Sequence, residues 1–331
     1  MIERDLLLVY NCFGGGSEEY EKYIIELDNI FWNIDINNLQ DNIRVVISSV
    51  LNHSNTEKKI KEKYGDRIHL IKYNENYPVQ VTFNKTVLAS IKEFQEEYKS
   101  YFYVSSGLIF PRQVDLFKRI IDRVSTNEYG CIHLQVDEDS GLGGLRQRYW
   151  DWVKIEKDDI NNDFLIAVGD YCNFHLAVIN RELKDFYGVP LLDVYGTGGM
   201  EGGITYTGAA LRKKNIVLNS SLCLHKPKSN SNRSKNDEVD WNKIKIINDW
   251  LLWGRKNQNF LDDTEGIDAG LGNYPEWYTV GDRPWVVLPH RKDKYDENYL
   301  STDERLKYAV KRCYFTNKSE LDYDQIEYHV L

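Results

Sequence analysis

Two carboxylates spaced one residue apart are the first group in the sequence with a clear chemical use. They lie in Asp137-Glu138-Asp139, directly after Cys131–Val136, a run of residues typical of a buried strand. Mg²⁺ and Mn²⁺ prefer carboxylate oxygens, so Asp137 and Asp139 are candidate ligands of a divalent cation. An acidic loop exposed to solvent has the same composition. The motif therefore leaves a metal site and a solvated loop as alternatives.

A basic and aromatic segment follows this acidic loop. Its members are Arg146, Arg148, Tyr149, Trp150 and Trp152. Aromatic rings of this kind stack on sugars and on nucleobases. The same residues also suit a helix whose rings lie in the core while the arginine heads stay in water. The segment is thus either a wall of a binding site or an ordinary amphipathic helix.

Several common catalytic and binding motifs are absent from the sequence. Gly14-Gly15-Gly16 is not followed by Gly-Lys-Ser/Thr, so it does not predict a P-loop. There is no Gly-x-Ser-x-Gly elbow of a serine hydrolase. The five cysteines lie far apart without zinc-ligand spacing, and we interpret them as reduced thiols.

Net charge and hydropathy limit which binding partners and which cellular compartment we expect for the protein. The formal net charge is −9, which disfavours a protein that holds nucleic acid through its phosphates. No window reaches the ~18 apolar residues of a membrane span. Met1–Asp5 does not resemble the start of a secretory signal. We therefore expect a cytoplasmic protein without a membrane span, in the host cytoplasm if the chain is viral.

The first half of the chain alternates strand and helix patterns. The predicted strands are Leu6–Tyr10, Ile43–Leu51, Ile68–Tyr73 and Tyr101–Val104. The predicted helices are Glu18–Phe31, Thr56–Tyr64, Thr86–Tyr98 and Phe110–Val124. This alternation predicts an α/β fold with a Rossmann-like, mostly parallel central sheet and helices on both faces.

The second half is less regular and contains a change of composition. Further strands are predicted at Cys131–Val136, Phe164–Val168, His175–Ile179 and Ile216–Leu224, with helices at Arg181–Tyr187 and Thr205–Lys214. The polar run after Lys226 predicts a mobile loop or linker at 227–238. We therefore expect a first domain at 1–226 and a C-terminal mixed extension at 239–331, rich in aromatic and helical segments, that could bind an acceptor.

Polar residues follow the first three predicted strands in an order found in a known family. Tyr10-Asn11 ends the first strand, Ser49 ends the second, and Asn84-Lys85 opens the helix after the third. This layout resembles the GT-A nucleotide-sugar glycosyltransferases, in particular the inverting, family-two-like enzymes. The resemblance implies that Tyr10, Asn11, Ser49, Asn84 and Lys85 line a nucleotide pocket, although the family's usual Asp near Ser49 is missing.

The family's metal motif is replaced at the end of the fourth strand. Family members place Asp-x-Asp there to hold a cation on the diphosphate, whereas this chain has Ser105-Ser106-Gly107. Hydroxyls hold Mg²⁺ or Mn²⁺ far less well, but they can bind a ribose or sugar, and Gly107 allows close approach of the ligand. The enzyme could work without metal, take Mn²⁺ or Mg²⁺ elsewhere, or have kept binding alone.

The later part of the resemblance supplies a candidate base. Family members place a carboxylate at the start of a helix beneath the acceptor, and Glu201, in Gly199-Met200-Glu201-Gly202-Gly203, stands there. The resemblance implies that Glu201 is the general base, with Asp193 in reserve. A carboxylate at this point would also simply favour the helix dipole. His225 and Lys226 resemble the family's diphosphate contacts, and His225 is also a candidate metal ligand.

The resemblance implies transfer of a sugar from a UDP- or GDP-sugar donor to a hydroxyl acceptor, with inversion at the anomeric carbon. The acceptor would be a glycan, a glycoconjugate or a modified base. The alternative is a non-catalytic module of the same fold that binds a glycan or nucleotide, because both the metal motif and the second acid, replaced by Gly202, are missing. Transfer onto nucleic acid would need a basic face, which the net charge disfavours.

Overall fold

Strands and helices alternate along the part of the chain that the structure describes. The computed structural model describes residues 2–14, 18–75, 77, 79–136, 154–157, 164–168, 176–191, 211, 213, 215–225 and 323–331. The strands are β1 (Ile2–Phe13), β2 (Ile43–Val50), β3 (Ile68–Tyr73), β4 (Glu96–Ser105), β5 (Leu108–Ile109), β6 (Cys131–Val136), β7 (Lys154–Lys157), β8 (Phe164–Val168), β9 (Leu176–Asn180), β10 (Asn215–His225) and β11 (His329–Val330). The helices are α1 (Tyr20–Asp35), α2 (Ser54–Tyr64), α3 (Val79–Phe94), α4 (Leu116–Thr126) and α5 (Glu182–Tyr187).

The described strands form one sheet in which β3, β2, β1 and β4 are parallel. Its order is β11-β3-β2-β1-β4-β9-β6-β10-β8-β7, with β5 paired to β10. The pairs β2–β3, β1–β2 and β1–β4 are parallel, and so is β6–β10. The strand β9 is inserted antiparallel between β4 and β6, and β8 and β7 extend the far edge antiparallel. The expected α/β class with a mostly parallel core is confirmed.

Helices cover both faces of the sheet, which explains why the segment Leu6–Tyr10 of β1 is apolar without interruption. Leu7 and Val9 pack on one side in a cluster with α3 and α5. Leu6 and Leu8 pack on the other side in a cluster with α1, α2 and α4. Side chains of a strand alternate between faces, so a strand covered on both faces must be apolar throughout. Among the helices described, none is long and apolar enough to cross a membrane.

Two predicted helices have different bounds in the structure. The helix expected at Thr86–Tyr98 is α3, which begins at Val79 and ends at Phe94, because Gln95 takes a left-handed backbone (φ +53°) and β4 starts at Glu96. The helix expected at Phe110–Val124 begins only at Leu116. Phe110 still packs edge-on against Phe117, with ring centroids 5.5 Å apart. Phe110 is thus a buried apolar residue of the loop before α4, and its apolar character made the sequence pattern of the helix look longer than the helix is.

The last nine residues belong to the same sheet. The strand β11 pairs antiparallel with β3, and the Leu331 N–H donates to the Leu70 carbonyl at 2.9 Å. Tyr323 and Ile326 are buried in the cluster on the α3 side. The described end of the C-terminal extension is a short 3₁₀ turn followed by the edge strand β11. The boundaries at 226 and 238 stay a prediction, since residues 226–322 lie outside the described part.

A buried ionic network closes the amino end of the sheet. The Glu96 carboxylate accepts from Arg4 Nε at 2.9 Å, from Arg44 Nε at 3.0 Å and from the Tyr98 hydroxyl at 2.8 Å. Burial by itself raises the pKa of Glu96, but the hydrogen bonds from Arg44, Arg4 and Tyr98 outweigh it and lower the pKa to about 2. The ionised carboxylate therefore stabilises the fold.

Replacing Glu96 with glutamine is expected to lower the free energy of unfolding at pH 7 by about 2 to 3 kcal/mol. A depressed pKa stabilises above the ordinary value of 4.5, and this stabilisation is lost as the pH falls from there through about 2. The difference between wild type and variant, measured by urea unfolding, should therefore shrink between pH 5 and pH 2. A constant difference over this range would contradict the role given to the Glu96 charge.

Candidate functional site

The carboxyl ends of β1 and β4 lie at the point where the chain reverses its direction across the sheet. From β1 the chain moves to β2 and β3 on one side, and it then returns to place β4 on the other side of β1. In open α/β sheets, ligands bind outside the carboxyl ends of the strands at such a switch point. Asn11 lies near the carboxyl end of β1, and it is in register with Ser105 of β4. The fold thus places two of the predicted site residues side by side.

A polar row crosses three strands at this edge, and it consists of Ser48, Asn11 and Ser105. Asn11 is in register with Ser48 on β2 as well as with Ser105. By strand alternation all three lie on the α3 face, since Val46, Val9 and Tyr103 two residues earlier pack there. Asn11 and Ser105 both hydrogen-bond the buried Tyr103 hydroxyl.

Two atoms of the polar row have no hydrogen-bond partner within the described residues. They are Asn11 Oδ1 and Ser48 Oγ, and both are buried. Leaving a buried polar atom unpaired costs about 1 to 3 kcal/mol, so such atoms require an explanation. A ligand bound at the switch point would supply the missing partners. The polar row is therefore a candidate binding position at the carboxyl edge of the sheet.

The turn after β4 continues from the polar row. In this 105–107 turn, the Ser106 N–H donates to the Asn11 carbonyl at 2.9 Å, and Gly107 adopts a left-handed backbone with φ +99°. A residue with a Cβ rarely takes that conformation, which accounts for the glycine. The turn is thus fastened to the end of β1 while its serine side chains stay at the carboxyl edge.

The backbone of His225 lies next to this turn. The end of β10 pairs antiparallel with β5, so that His225 is in register with Leu108, the residue after Gly107. His225 was predicted from sequence to contact a diphosphate or a metal. The structure brings its main chain to the 105–107 turn although 117 positions (225 minus 108) separate it from Leu108. Lys226, the other predicted diphosphate contact, lies outside the described residues.

Ser49 lies on the opposite face of the sheet from the polar row. Its hydroxyl donates to Glu57 Oε1 at 2.7 Å and accepts from Asn52 Nδ2 at 3.0 Å. Glu57 also accepts from Lys72 Nζ at 2.7 Å, so the carboxylate is paired with a cation. Ser49 was predicted in the nucleotide pocket. The residue that the register places beside Asn11 is its neighbour Ser48.

Gly14, at the start of the glycine run, is in close contact with Asn52. A Cβ added at Gly14 would lie 2.2 Å from Asn52 Oδ1 and 2.9 Å from Asn52 Cα. Gly14→Ala is therefore expected to lower stability by about 1 to 3 kcal/mol in urea unfolding, because the strand end must shift. The loss should be smaller in an Asn52→Ala background, where the clash with Oδ1 is relieved. An equal loss in both backgrounds would contradict the contact.

Tyr10 packs on the same side of the sheet as Ser49. It is fully buried, and its hydroxyl donates to the carboxylate of Glu26 on α1. The same Glu26 oxygen, Oε2, accepts the Gly107 N–H at 2.8 Å. Burial raises the pKa of Glu26 to about 7, against the hydrogen bonds from Tyr10 and Gly107, which lower it. Tyr10 was predicted to line the pocket, and in the structure it connects to the 105–107 turn through Glu26.

Asn84 and Lys85 on α3 contact other parts of the chain. The Asn84 Nδ2 donates to the Leu191 carbonyl and to the Tyr323 hydroxyl, each at 2.8 Å. Its Oδ1 accepts the Leu191 N–H at 2.9 Å. The Lys85 ammonium lies 5.1 Å from the centre of the Tyr328 ring. These contacts hold α3 against the C-terminal residues, and a nucleotide contact by Asn84 or Lys85 stays a prediction.

The remaining predicted residues fall outside the part of the chain that the structure describes. These are Asp137, Asp139, Asp193 and Glu201, together with Lys226. Within the described residues, no three His, Cys, Asp or Glu side chains form a group that could hold a metal. At the 105–107 turn the side-chain groups that could ligate a cation are serine hydroxyls. The Gly107 N–H is not a metal ligand, and it donates to Glu26. The described residues at this position therefore do not fit Mn²⁺ or Mg²⁺.

Sequence reasoning missed Ser48 and Glu26. The alternation of side chains along β2 could have identified Ser48. Val46 and Val50 face the α3 side, so Ser48 between them must face that side too. Glu26 lies within an amphipathic helix, where a charged residue ordinarily faces solvent. Its contact with Gly107 spans 81 positions and could not be read from local spacing.

Comparisons with known proteins gave likeness in structure only. No protein-family model matches the chain, and no curated protein matches it in sequence. A mannosyltransferase from Pyrobaculum calidifontis, solved with GDP-Man and Mn²⁺, is 13% identical and has a TM-score of 0.49, over 93% of this chain and 73% of its own.

Two further glycosyltransferase structures are similar to a comparable degree. TarS 1–349 from S. aureus with UDP-GlcNAc is 11% identical with a TM-score of 0.47, over 75% of this chain and 66% of its own. GalNAc-T7 with UDP, GalNAc and Mn²⁺ is 11% identical with a TM-score of 0.47, over 79% of this chain and 52% of its own. At these identities and TM-scores the likeness carries no conclusion about activity.

Proposed function

We propose that the protein is a glycosyltransferase that transfers a sugar from a UDP- or GDP-sugar to a hydroxyl acceptor. The observation that carries this proposal is the polar row at the switch point, with the unpaired Asn11 Oδ1 and Ser48 Oγ beside the 105–107 turn. This edge has the position and the hydrogen-bonding groups to receive a nucleotide and its sugar. The GT-A resemblance of the sequence supports a nucleotide sugar as the ligand class.

The chemistry that we propose is a single displacement. Glu201 takes the proton from the acceptor hydroxyl, the acceptor oxygen bonds to the anomeric carbon, and the bond from that carbon to the diphosphate oxygen breaks. The nucleoside diphosphate leaves with the electron pair, and the configuration at the anomeric carbon inverts. Because the 105–107 turn does not fit a cation, no step is assigned to a metal. We assign the leaving diphosphate to His225 and Lys226.

The alternative proposal is a binding module of the same fold without transferase activity. It is favoured by the serines at the 105–107 turn and by Gly202 beside Glu201, two positions where the related family carries acids. Such a module would retain the polar row and bind the nucleotide sugar or a glycan without turning it over.

A donor panel tests the proposal and separates these two functions. UDP-, GDP- and dTDP-sugars are incubated with the protein, with and without Mn²⁺, and release of the nucleoside diphosphate is followed together with donor binding. Release with at least one donor supports the transferase. Binding without release for every donor supports the module. Neither binding nor release with any donor would refute the transferase and a module that binds nucleotide sugars.

A further inference from the structure

The buried carboxylate of Glu26 on α1 binds the 105–107 turn through the Gly107 N–H. Glu26 is 3% exposed, and its Oε2 accepts both the Tyr10 hydroxyl and the Gly107 N–H. Burying an ionised carboxylate is costly unless hydrogen bonds compensate it. Here the two donors come from β1 and from the turn itself. Glu26 therefore joins α1, β1 and the 105–107 turn.

The turn is also held by the main chain of β1. The Ser106 N–H is bound by the Asn11 carbonyl at 2.9 Å, and the Gly107 N–H by Glu26 at 2.8 Å. Two successive amides are thereby fixed, one by the main chain of β1 and one by a side chain of α1. Release of the second contact would leave Gly107, which has a left-handed backbone, free to change conformation.

We propose that Glu26 is a positioning residue of the donor site, whose ionised carboxylate fixes the 105–107 turn for the diphosphate or sugar of the donor. The proposal rests on the proposed function, since it assigns the turn to the donor. Glu26 acts through Gly107 and does not itself touch the substrate. A hydrogen bond to an ionised carboxylate is stronger than one to a neutral group, so the contact weakens when Glu26 is protonated.

Burial and the groups around Glu26 determine the pH at which Glu26 is protonated. Burial raises the pKa of Glu26 to about 7, while Tyr10, the Gly107 amide and Lys22 lower it and Glu19 raises it. Two further titratable groups lie nearby, Tyr23 on α1 and Cys12 on β1. Burial is the largest cause of a raised pKa for both, so both are neutral at pH 7.

A carboxyl with a raised pKa favours the folded state when protonated. This stabilisation is present below the ordinary value of 4.5 and is lost as the pH rises through about 7. At pH 8 the ionised Glu26 therefore lowers stability while it holds the turn. A residue kept only for folding would not have this property, and it gives the test a distinctive sign.

The test compares wild type with Glu26→Gln, which keeps the shape and an acceptor oxygen but has no charge. Binding of UDP-glucose and GDP-mannose is measured from pH 5.5 to 8, since their diphosphate diesters do not titrate in this range. Wild-type affinity is expected to fall about five- to tenfold as the pH is lowered through 7. Glu26→Gln should bind weakly at every pH, and it should be more stable than wild type at pH 8 in urea unfolding.

Two further variants make the result specific. Tyr10→Phe removes a hydrogen bond that lowers the pKa of Glu26, so the midpoint of the affinity profile should move to higher pH. Glu96→Gln, a buried carboxylate at the opposite end of the sheet, should leave the profile unchanged. Hydrogen–deuterium exchange of peptides spanning 104–109 should be faster in Glu26→Gln than in wild type at pH 8.

The outcomes separate the two levels of the proposal. Wild type that binds no nucleotide sugar at any pH refutes the proposed function and the donor-site role of Glu26 with it. Wild-type binding with the same pH profile in Glu26→Gln overturns the role of Glu26 alone. Unchanged exchange at 104–109 in Glu26→Gln would show that the carboxylate does not position the turn.

Discussion

Replacing Glu201 with glutamine is expected to lower kcat for sugar transfer by about 10²- to 10⁴-fold, while the affinity for the nucleotide sugar stays close to that of wild type. Glutamine keeps the size of the side chain but cannot take a proton from the acceptor hydroxyl. The loss should therefore appear in the chemical step and not in donor binding. Single-turnover transfer and donor titration, measured on the same preparation, give the two quantities.

A matched control distinguishes a catalytic role of the Glu201 carboxylate from a favourable interaction with the helix dipole. Glu182 lies in the first turn of α5, as Glu201 is predicted to lie at the start of a helix. Glu182→Gln removes a carboxylate from a helix start together with its ion pair to Lys213 at 2.8 Å, and it should leave kcat unchanged. Full transfer activity in Glu201→Gln would refute the assignment of the base, and Asp193→Asn would then be the variant to measure.

Replacing Asn84 with alanine is expected to have the largest effect on stability, a loss of about 3 to 6 kcal/mol. Asn84 is fully buried, and its amide satisfies the Leu191 N–H, the Leu191 carbonyl and the Tyr323 hydroxyl. The substitution takes this partner from all three groups, and each of the two Leu191 groups costs about 1 to 3 kcal/mol when it is left unpaired. Urea unfolding at pH 7 measures the loss.

Ser90→Ala is the matched control for Asn84→Ala. Ser90 is buried on the same helix, but its hydroxyl donates to the Thr86 carbonyl one turn earlier at 2.7 Å. Its removal should cost less than about 1 kcal/mol, because no group of another element loses its partner. If Asn84→Ala kept wild-type stability but lost nucleotide binding, the contacts to Leu191 and Tyr323 would not be its main role, and the pocket predicted from sequence would be favoured.

The parts of the fold that sequence predicted well are those in which one physical cause acts alone. The strands β3 and β8 have the predicted bounds, because each is a short run rich in apolar residues that begins directly after a charged residue. The end of α3 could not be predicted, since glutamine is not a usual residue for the left-handed conformation that Gln95 adopts. The edge strand β11 depends on pairing with β3, more than 250 positions earlier, and has no local signal.

The sequence predicted which strand ends contribute to the candidate site, but it did not predict the contacts between residues that are distant along the chain. Asn11 and Ser105–Gly107 were selected because polar residues followed predicted strands, and the parallel sheet brings their main chains together. The choice of Ser49 over Ser48 depended on strand parity, which only the register with β1 resolves. The partnership of Glu26 with Tyr10 and Gly107 arises from tertiary packing, because burial makes the helix carboxylate an acceptor for a distant turn.

The central claim is that the switch point between β1 and β4 binds the nucleotide of a sugar donor. Crystal structures of the protein soaked with UDP and with GDP test it most directly. We expect one of the two nucleotides at the carboxyl edge of the sheet, within hydrogen-bond distance of Asn11 Oδ1 or Ser48 Oγ and against the 105–107 turn. A nucleotide bound elsewhere with the polar row left open, or no bound nucleotide at millimolar concentration, would contradict the claim.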